Sequence, residues 1–317
     1  MRKPLRVRDW TRAQEIVRKW EVEGTQPKRP PRLTIEEWRD RFIEDATARK
    51  LSESTLRLYR LLFKQIVAFS SQKGHKLVSD LDLNALSEFR ATWQNNALSA
   101  SKKLERLRGI FKFAVKRKLV EENPALDLVS PKVKQNPTLP FTADEMEQIL
   151  KAAESDEVDP RVKAFILTMR YSGLRISDTS VLAVASLHGN RLRLYMAKTG
   201  EPVSVLLPAR VVESLKAVAH EHPDYFFWRG KSKISSVTGR WRAKIAKVFE
   251  VAKTENGHTH RFRDTFAVSL LENGASLEDV GTLLGHSSLR VTQKHYSPWV
   301  KTRQDALDKV VKSATEM

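Results

Sequence analysis

Apolar residues recur at helical spacing over most of the chain. Between Leu33 and about Leu128, Tyr59, Leu62, Phe63 and Ile66 fall at i, i+3, i+4 and i+7, which gathers them on one helix face and turns Arg57, Arg60 and Lys64 elsewhere. LSASKKLERLRGIFKFAVKRK repeats the arrangement, with Leu104, Leu107, Phe111, Ala114 and Val115 on one face and Lys102, Lys103, Arg106, Lys112, Lys116 and Arg117 on the remainder. Residues 129–141, VSPKVKQNPTLPF, break the pattern with Pro131, Pro137 and Pro140 and read as an extended linker. Periodicity resumes at Thr142, where Thr142 and Glu145 form a capping-box signature. After the helix that contains AFILTMRYSG, Leu192, Leu194 and Met196 alternate before a Lys-Thr-Gly-Glu turn, the period of a β-hairpin. From about Ala209 the helical spacing returns. Phe266, Ala267, Leu270 and Leu271 continue one helix to a stop at Gly274; Gly285 then separates two short helices. Ser287 or Ser288 caps the second of these, leaving His286 exposed at the junction and Tyr296 on the second helix. The expected fold is mainly α with a small β-hairpin or sheet, an α+β arrangement, in the second domain.

A chain of 317 residues exceeds the usual size of a single core, so two domains are expected. Residues 1–32 carry ten Lys or Arg against four Asp or Glu and end in KRPPR, a basic N-terminal arm and linker. Residues 33–128 form a helical domain, 129–141 the linker, 142–302 a second domain, and 303–317 a tail helix with Leu307, Val310 and Val311 on one side. The whole chain has a net charge of +18, which suits a polyanionic partner, double-stranded nucleic acid first. Basic helices in the first domain, with Arg57, Arg60, Lys64, Lys102, Lys103 and Arg106, and Lys132 and Lys134 in the linker, are candidate contacts to a DNA backbone. No stretch offers the roughly 18 consecutive apolar residues of a membrane span, and the basic start lacks the apolar segment of a secretory signal, so a cytoplasmic protein without membrane partners is expected. The absence of cysteine excludes disulfides, thiol catalysis and cysteine-based zinc sites.

Candidate chemistry concentrates in the second domain. Arg175 follows a glycine at a helix start in YSGLRISDTSVL, with Asp178 three residues on; Lys198 sits at the hairpin turn. HTHRFRDTFAVSLLENG contains two overlapping pairs, His258 with Arg261 and His260 with Arg263, each spaced i, i+3. Three histidines, His258, His260 and His286, raise a metal site as an alternative, without a catalytic carboxylate cluster beside them. LEDVGTLLGHSSLRVTQKHY also reads as a helix-turn-helix, so a non-catalytic DNA-binding regulator competes; that reading leaves Arg175, Lys198 and the His-x-x-Arg pair unexplained.

Arg175 in GLRISD, Lys198 in the hairpin, His260 and Arg263 in HRFRDTFA, His286 in LGHSS and Tyr296 in KHYSPW resemble, in order and approximate spacing, the tyrosine recombinases of the phage integrase family. The resemblance covers residues from about 33 to 317. It implies a core-binding domain at 33–128, a catalytic domain at 142–302, and a clamp of the two around DNA. In its register His260 and Arg263 are the functional pair, and His258 is a neighbour of unassigned role.

The resemblance also implies roles. Arg175 and Arg263 clamp the scissile phosphate, because a guanidinium stays charged and pairs with phosphate in a planar fork. His286 donates one more hydrogen bond, Tyr296 is the nucleophile, His260 the general base, and Lys198 the general acid for the departing 5′-oxygen. Asp178 orients Arg175. A 3′-phosphotyrosyl intermediate conserves bond energy, so no ATP or other cofactor is expected, and two arginines with a lysine make a metal unnecessary. The expected reaction is site-specific recombination for integration or excision of a mobile element, with Xer-like resolution of replicon dimers as the alternative; a type IB topoisomerase shares much of the chemistry but not the compact two-domain layout. A homotetrameric synapse, with the tail on a neighbour, is the expected assembly, and an accessory directionality factor is admitted.

Overall fold

The computed structural model describes residues 7, 9–23, 33–133, 139–156, 158–218, 222–300 and scattered positions after 304. The chain separates into two compact units, Met1–Gln135 and Asn136–Met317.

The first unit is helical. Residues read as a basic arm contain a helix, α1 (Trp10–Glu23), whose first turn is capped by the Asp9 carboxylate accepting from Arg12 N at 3.1 Å. No proline or glycine falls between Leu5 and Glu23, so nothing in that run opposes a helix. α2 (Ile35–Ala48) starts in a capping box between Thr34 and Glu37; α3 (Glu53–Lys73) ends at Gly74, whose φ of 76° closes the helix in the left-handed region. α4 (Leu83–Ala91) and α5 (Ala97–Lys116) complete the unit. The apolar stripes converge on Trp38, whose ring lies edge-on to Phe63 at 5.0 Å and tilted against Phe111 at 4.9 Å. Ile110 joins the buried face of α5, while Val115 is half-buried at its margin. Arg108 leaves the basic face altogether. Its guanidinium donates to the carbonyls of Ala125 at 3.1 Å and Leu128 at 2.7 Å, strapping the segment after α5 onto that helix.

The second unit opens on α6 (Ala143–Ala152), begun by the capping box of Thr142 and Glu145. α7 (Arg161–Ser172) turns at Gly173 into the short α8 (Ile176–Ser180). A three-stranded antiparallel sheet follows, in the order β1 (Leu187–His188), β2 (Arg191–Tyr195), β3 (Pro202–Leu206), with Leu192 opposite Val205 and Leu194 opposite Val203. β1 is only two residues long and carries no alternation, which is why the hairpin alone was legible. α9 (Ala209–Ala217), α10 (Ile234–Val251), α11 (His260–Glu272), α12 (Leu277–Leu283) and α13 (Leu289–Tyr296) close the unit. α11 is its central helix: every residue from Arg261 to Val268 is buried, so it is packed on all sides. Trp241 of α10 stacks on Phe165 of α7 at 4.3 Å, anchoring the core beneath α11. Among the described residues no helix is long and apolar enough to cross a membrane.

Candidate active site

The turn from α7 to α8 places Arg175. Gly173 has a φ of 66°, and a Cβ there would lie 2.5 Å from Phe266 and 2.9 Å from Leu284, so both backbone and packing require glycine. Arg175 is the N-cap of α8 and is partly buried; its Nη1 is enclosed and has no hydrogen-bond partner in the protein. An enclosed charged donor left unpaired costs more than the ~1–3 kcal/mol of a neutral one. Among the described residues Asp178 makes no hydrogen bond or ion pair with Arg175. The buried Asp178 carboxylate instead accepts from Ala197 N at 3.0 Å, tying α8 to the hairpin turn one residue before Lys198.

α11 resolves the two overlapping histidine-arginine pairs. Arg261 donates to the carbonyls of Leu139 at 3.0 Å and Pro140 at 3.1 Å and to Glu145 at 2.9 Å, a structural tie. Arg263 is 1% exposed and donates to Gly173 O at 2.6 Å and Leu284 O at 2.7 Å, joining the ends of α7 and α12. Burial, then the charge of Arg175, lowers its pKa to about 10, so it stays cationic at neutral pH. His260 is exposed at the start of α11, with Nε2 3.8 Å from Asp264 Oδ1. Loss of hydration holds both His258 and His260 below the usual histidine range, against the opposing pull of Asp264. Among the described residues no group of three or more His, Cys, Asp or Glu is placed to hold a metal ion, so the three histidines do not form the alternative metal centre.

The hairpin and the α12–α13 junction meet at Gly285, where a Cβ would lie 2.7 Å from Met196 and 2.9 Å from Val203. Thr199 Oγ1 donates to Gly285 O at 3.1 Å, so the exposed Lys198 stands on a turn held at both flanks, by Asp178 and by Gly285. His286 is not exposed, as the sequence pattern suggests, but partly buried, with Nδ1 2.9 Å from the hydroxyl of the fully buried Thr292. Burial, then Arg263 and Arg175, lower its pKa to about 4, so the ring is neutral at pH 7. A neutral imidazole that receives the Thr292 proton at Nδ1 carries its own on Nε2, the tautomer needed to donate toward an anion. Gly281 makes room for this contact, since a Cβ there would lie 2.9 Å from Thr292 Oγ1. Thr292→Val is therefore expected to cost about 1 kcal/mol of stability and slow strand cleavage by about fivefold or more, with Thr292→Ser close to wild type in single-turnover assays. Equal rates for the valine and serine variants would remove this role.

Tyr296 ends α13 at 2% exposure, packed in the hydrophobic core of the unit. Its hydroxyl donates to Asp264 Oδ1 at 2.7 Å. Burial, then the charge and hydrogen bond of Asp264, raise its pKa well above the ordinary tyrosine value; Arg263 and Arg175 oppose that shift. The core residue and the candidate nucleophile are thus one side chain. Asp264 and Thr292 are the partners that sequence reading did not single out; only the position of Asp264 directly after Arg263 hinted at one of them.

The basic candidates of the first unit differ in availability. Arg57, Lys64, Lys102 and Lys132 are exposed and Arg106 is partly so. Arg60 pairs with Glu53 at 2.5 Å, and Lys103 lies over the rings of Trp93 at 4.4 Å and Phe89 at 5.3 Å. Burial pulls the Lys103 pKa down to about 8, so it stays mostly protonated at neutral pH while its stem is partly buried against these rings. Lys134 lies outside the described residues, as do Leu307 and Val310 of the tail; Val311 is exposed.

Residues 140–301 match the phage integrase family. The chain is 30% identical over 268 residues to the tyrosine recombinase XerC of Pelobacter propionicus, across 78% of this chain and 86% of that protein. To the tyrosine recombinase XerD of Shewanella oneidensis it is 27% identical over 270 residues, across 80% and 89%. Among solved structures, a lambda integrase dimer bound to a COC′ core site shares the fold with a TM-score of 0.68 at 19% identity, covering 86% of this chain and 96% of that one. The Tn1549 transposon integrase in complex with a circular intermediate DNA gives 0.64 at 16% identity, over 83% and 94%. With the arginines, histidines and tyrosine gathered in one electrostatic cluster and these likenesses spanning the chain, the protein belongs to the phage integrase family: it is a tyrosine recombinase, an enzyme of site-specific DNA strand cleavage and rejoining.

Proposed function

We propose that the protein cleaves duplex DNA through a 3′-phosphotyrosyl link to Tyr296, at a phosphate clamped by Arg175 and Arg263 and contacted by His286, in the integration or excision of a mobile element. The observation that carries this is the unpaired, enclosed Nη1 of Arg175 beside the buried Arg263 and the Tyr296 hydroxyl: a scissile phosphate is the anion that would satisfy it. Two guanidiniums supply charge stabilisation as the phosphorane forms, and in this reading Lys198 protonates the 5′-oxygen from its hairpin turn. His260 is assigned to the base side of the site. The domain at 33–128 is assigned to DNA backbone contact, through Arg57, Lys64 and Lys102 first, with Lys132 of the linker; the catalytic domain is assigned to 142–302. Recombination through a tetrameric synapse is part of the proposal, supported by the likeness in fold to a lambda integrase tetramer bound to a Holliday junction, at a TM-score of 0.66 and 18% identity.

A second reading, resolution of replicon dimers, is favoured by the names of the sequence relatives, XerC and XerD. The two readings differ in their DNA. The experiment incubates the protein with nicked duplexes from the DNA flanking its gene, and separately with replication-terminus dimer-resolution sequences, with chelator present, and resolves the products in denaturing detergent. A covalent adduct on the flanking DNA supports the mobile-element reading, and one on the terminus sequence alone supports the other. Tight retention without any adduct on either would return the regulator reading. Binding to nonspecific duplex should also weaken by about 10³-fold or more between 50 and 200 mM salt if six or more phosphates are contacted. A flat salt profile would remove the assigned backbone contacts.

A further inference from the structure

We infer that Asp264, and not His260, takes the phenolic proton of Tyr296 during strand cleavage, and that His260 passes it on to solvent. The inference rests on the recombinase reading above and changes the identity of its base. A phenol has one proton to give, and here it is directed at Asp264 Oδ1 over 2.7 Å. The same oxygen lies 3.8 Å from His260 Nε2, one turn earlier on α11. Exposure rises along this line, from the buried Tyr296 through 11% for the Asp264 side chain to 59% for the His260 side chain. A proton leaving a buried nucleophile needs such a chain of acceptors, and the carboxylate is the first link.

The charges around Asp264 favour the same order. Loss of hydration, then Arg263, His258 and Arg175, disfavour a resting positive charge on His260, against the opposing pull of Asp264. In the step, the Tyr296 oxygen–phosphorus bond forms as the phosphorus–O5′ bond breaks. The phenolic proton goes to Asp264 Oδ1 and thence to His260, and the departing 5′-oxygen takes a proton from Lys198. The products are a 3′-phosphotyrosyl ester and a 5′-hydroxyl.

Single-turnover cleavage of a nicked duplex by the full-length protein tests this. Asp264→Asn keeps the size of the side chain and can still accept the tyrosyl hydrogen bond but cannot take the proton. It should bind DNA normally and cleave about a hundredfold slower or worse. On a substrate with sulfur in place of the bridging 5′-oxygen, which needs no acid, the Asp264→Asn defect should persist while that of Lys198→Ala disappears. Formate should restore part of the activity of Asp264→Ala in proportion to its concentration. His260→Gln, a change at an exposed residue that leaves packing intact, should lose about tenfold or less. Cleavage by Asp264→Asn within threefold of wild type overturns the inference, as does a hundredfold loss in His260→Gln, which decides the matter even if the Asp264 variants fail to fold. An adduct present in wild type and absent in Tyr296→Phe would leave the recombinase reading standing in either case.

Discussion

Arg263→Ala is expected to reduce single-turnover cleavage by more than about a thousandfold while the protein retains DNA binding. One oxyanion donor is worth about a hundredfold to a thousandfold in rate, and this side chain supplies both a donor and a full charge to the proposed phosphate site. The same substitution should lower stability by about 2–4 kcal/mol. It strips the partners from the carbonyls of Gly173 and Leu284, each a loss of about 1–3 kcal/mol, offset in part by relief of the repulsion with Arg175. Arg263→Lys keeps the charge, but one ammonium cannot span two carbonyls and a phosphate, so a fall of about a hundredfold is expected. Thermal melting separates the two effects: rates are compared well below the midpoint of each variant. Near-normal cleavage by the folded alanine variant would remove Arg263 from the chemistry and leave it a tie between α7 and α12.

Tyr296→Phe should abolish the covalent adduct, since no other group replaces the proposed nucleophile, and should leave DNA affinity within a few-fold of wild type. Phenylalanine fills the same core space, so the stability change is confined to the lost hydrogen bond, about 1–2 kcal/mol with Asp264 left buried and one donor short. The pH dependence carries a second signature. The Tyr296 pKa is raised in the folded protein, so its contribution is present at neutral pH and is lost as pH rises past the ordinary tyrosine value near ~10, where only the unfolded chain ionises freely. Alkaline destabilisation measured by denaturant titration should therefore be shallower in Tyr296→Phe. An adduct that persists in this variant would identify a different nucleophile.

Local spacing along the chain determined much of this protein. The stripe through Tyr59, Leu62, Phe63 and Ile66, the capping box at Thr142 and Glu145 and the alternation through Leu192, Leu194 and Met196 each specify a backbone pattern within a few residues, and each forms its element. The order of Arg175, Lys198, His260, Arg263, His286 and Tyr296 carried the family. Tertiary structure decided the rest. His258 with Arg261 and His260 with Arg263 have identical spacing, yet Arg261 meets Pro140 and Glu145 whereas Arg263 meets Gly173, ninety positions earlier. Asp178 reaches the backbone at Ala197 and not its sequence neighbour Arg175, and Tyr296 turns into the core onto Asp264. Helical faces and turns follow from interactions between residues a few positions apart, which a sequence displays directly. Which carbonyl or carboxylate meets a long polar side chain depends on how distant helices pack, and that is settled only when the core closes around α11.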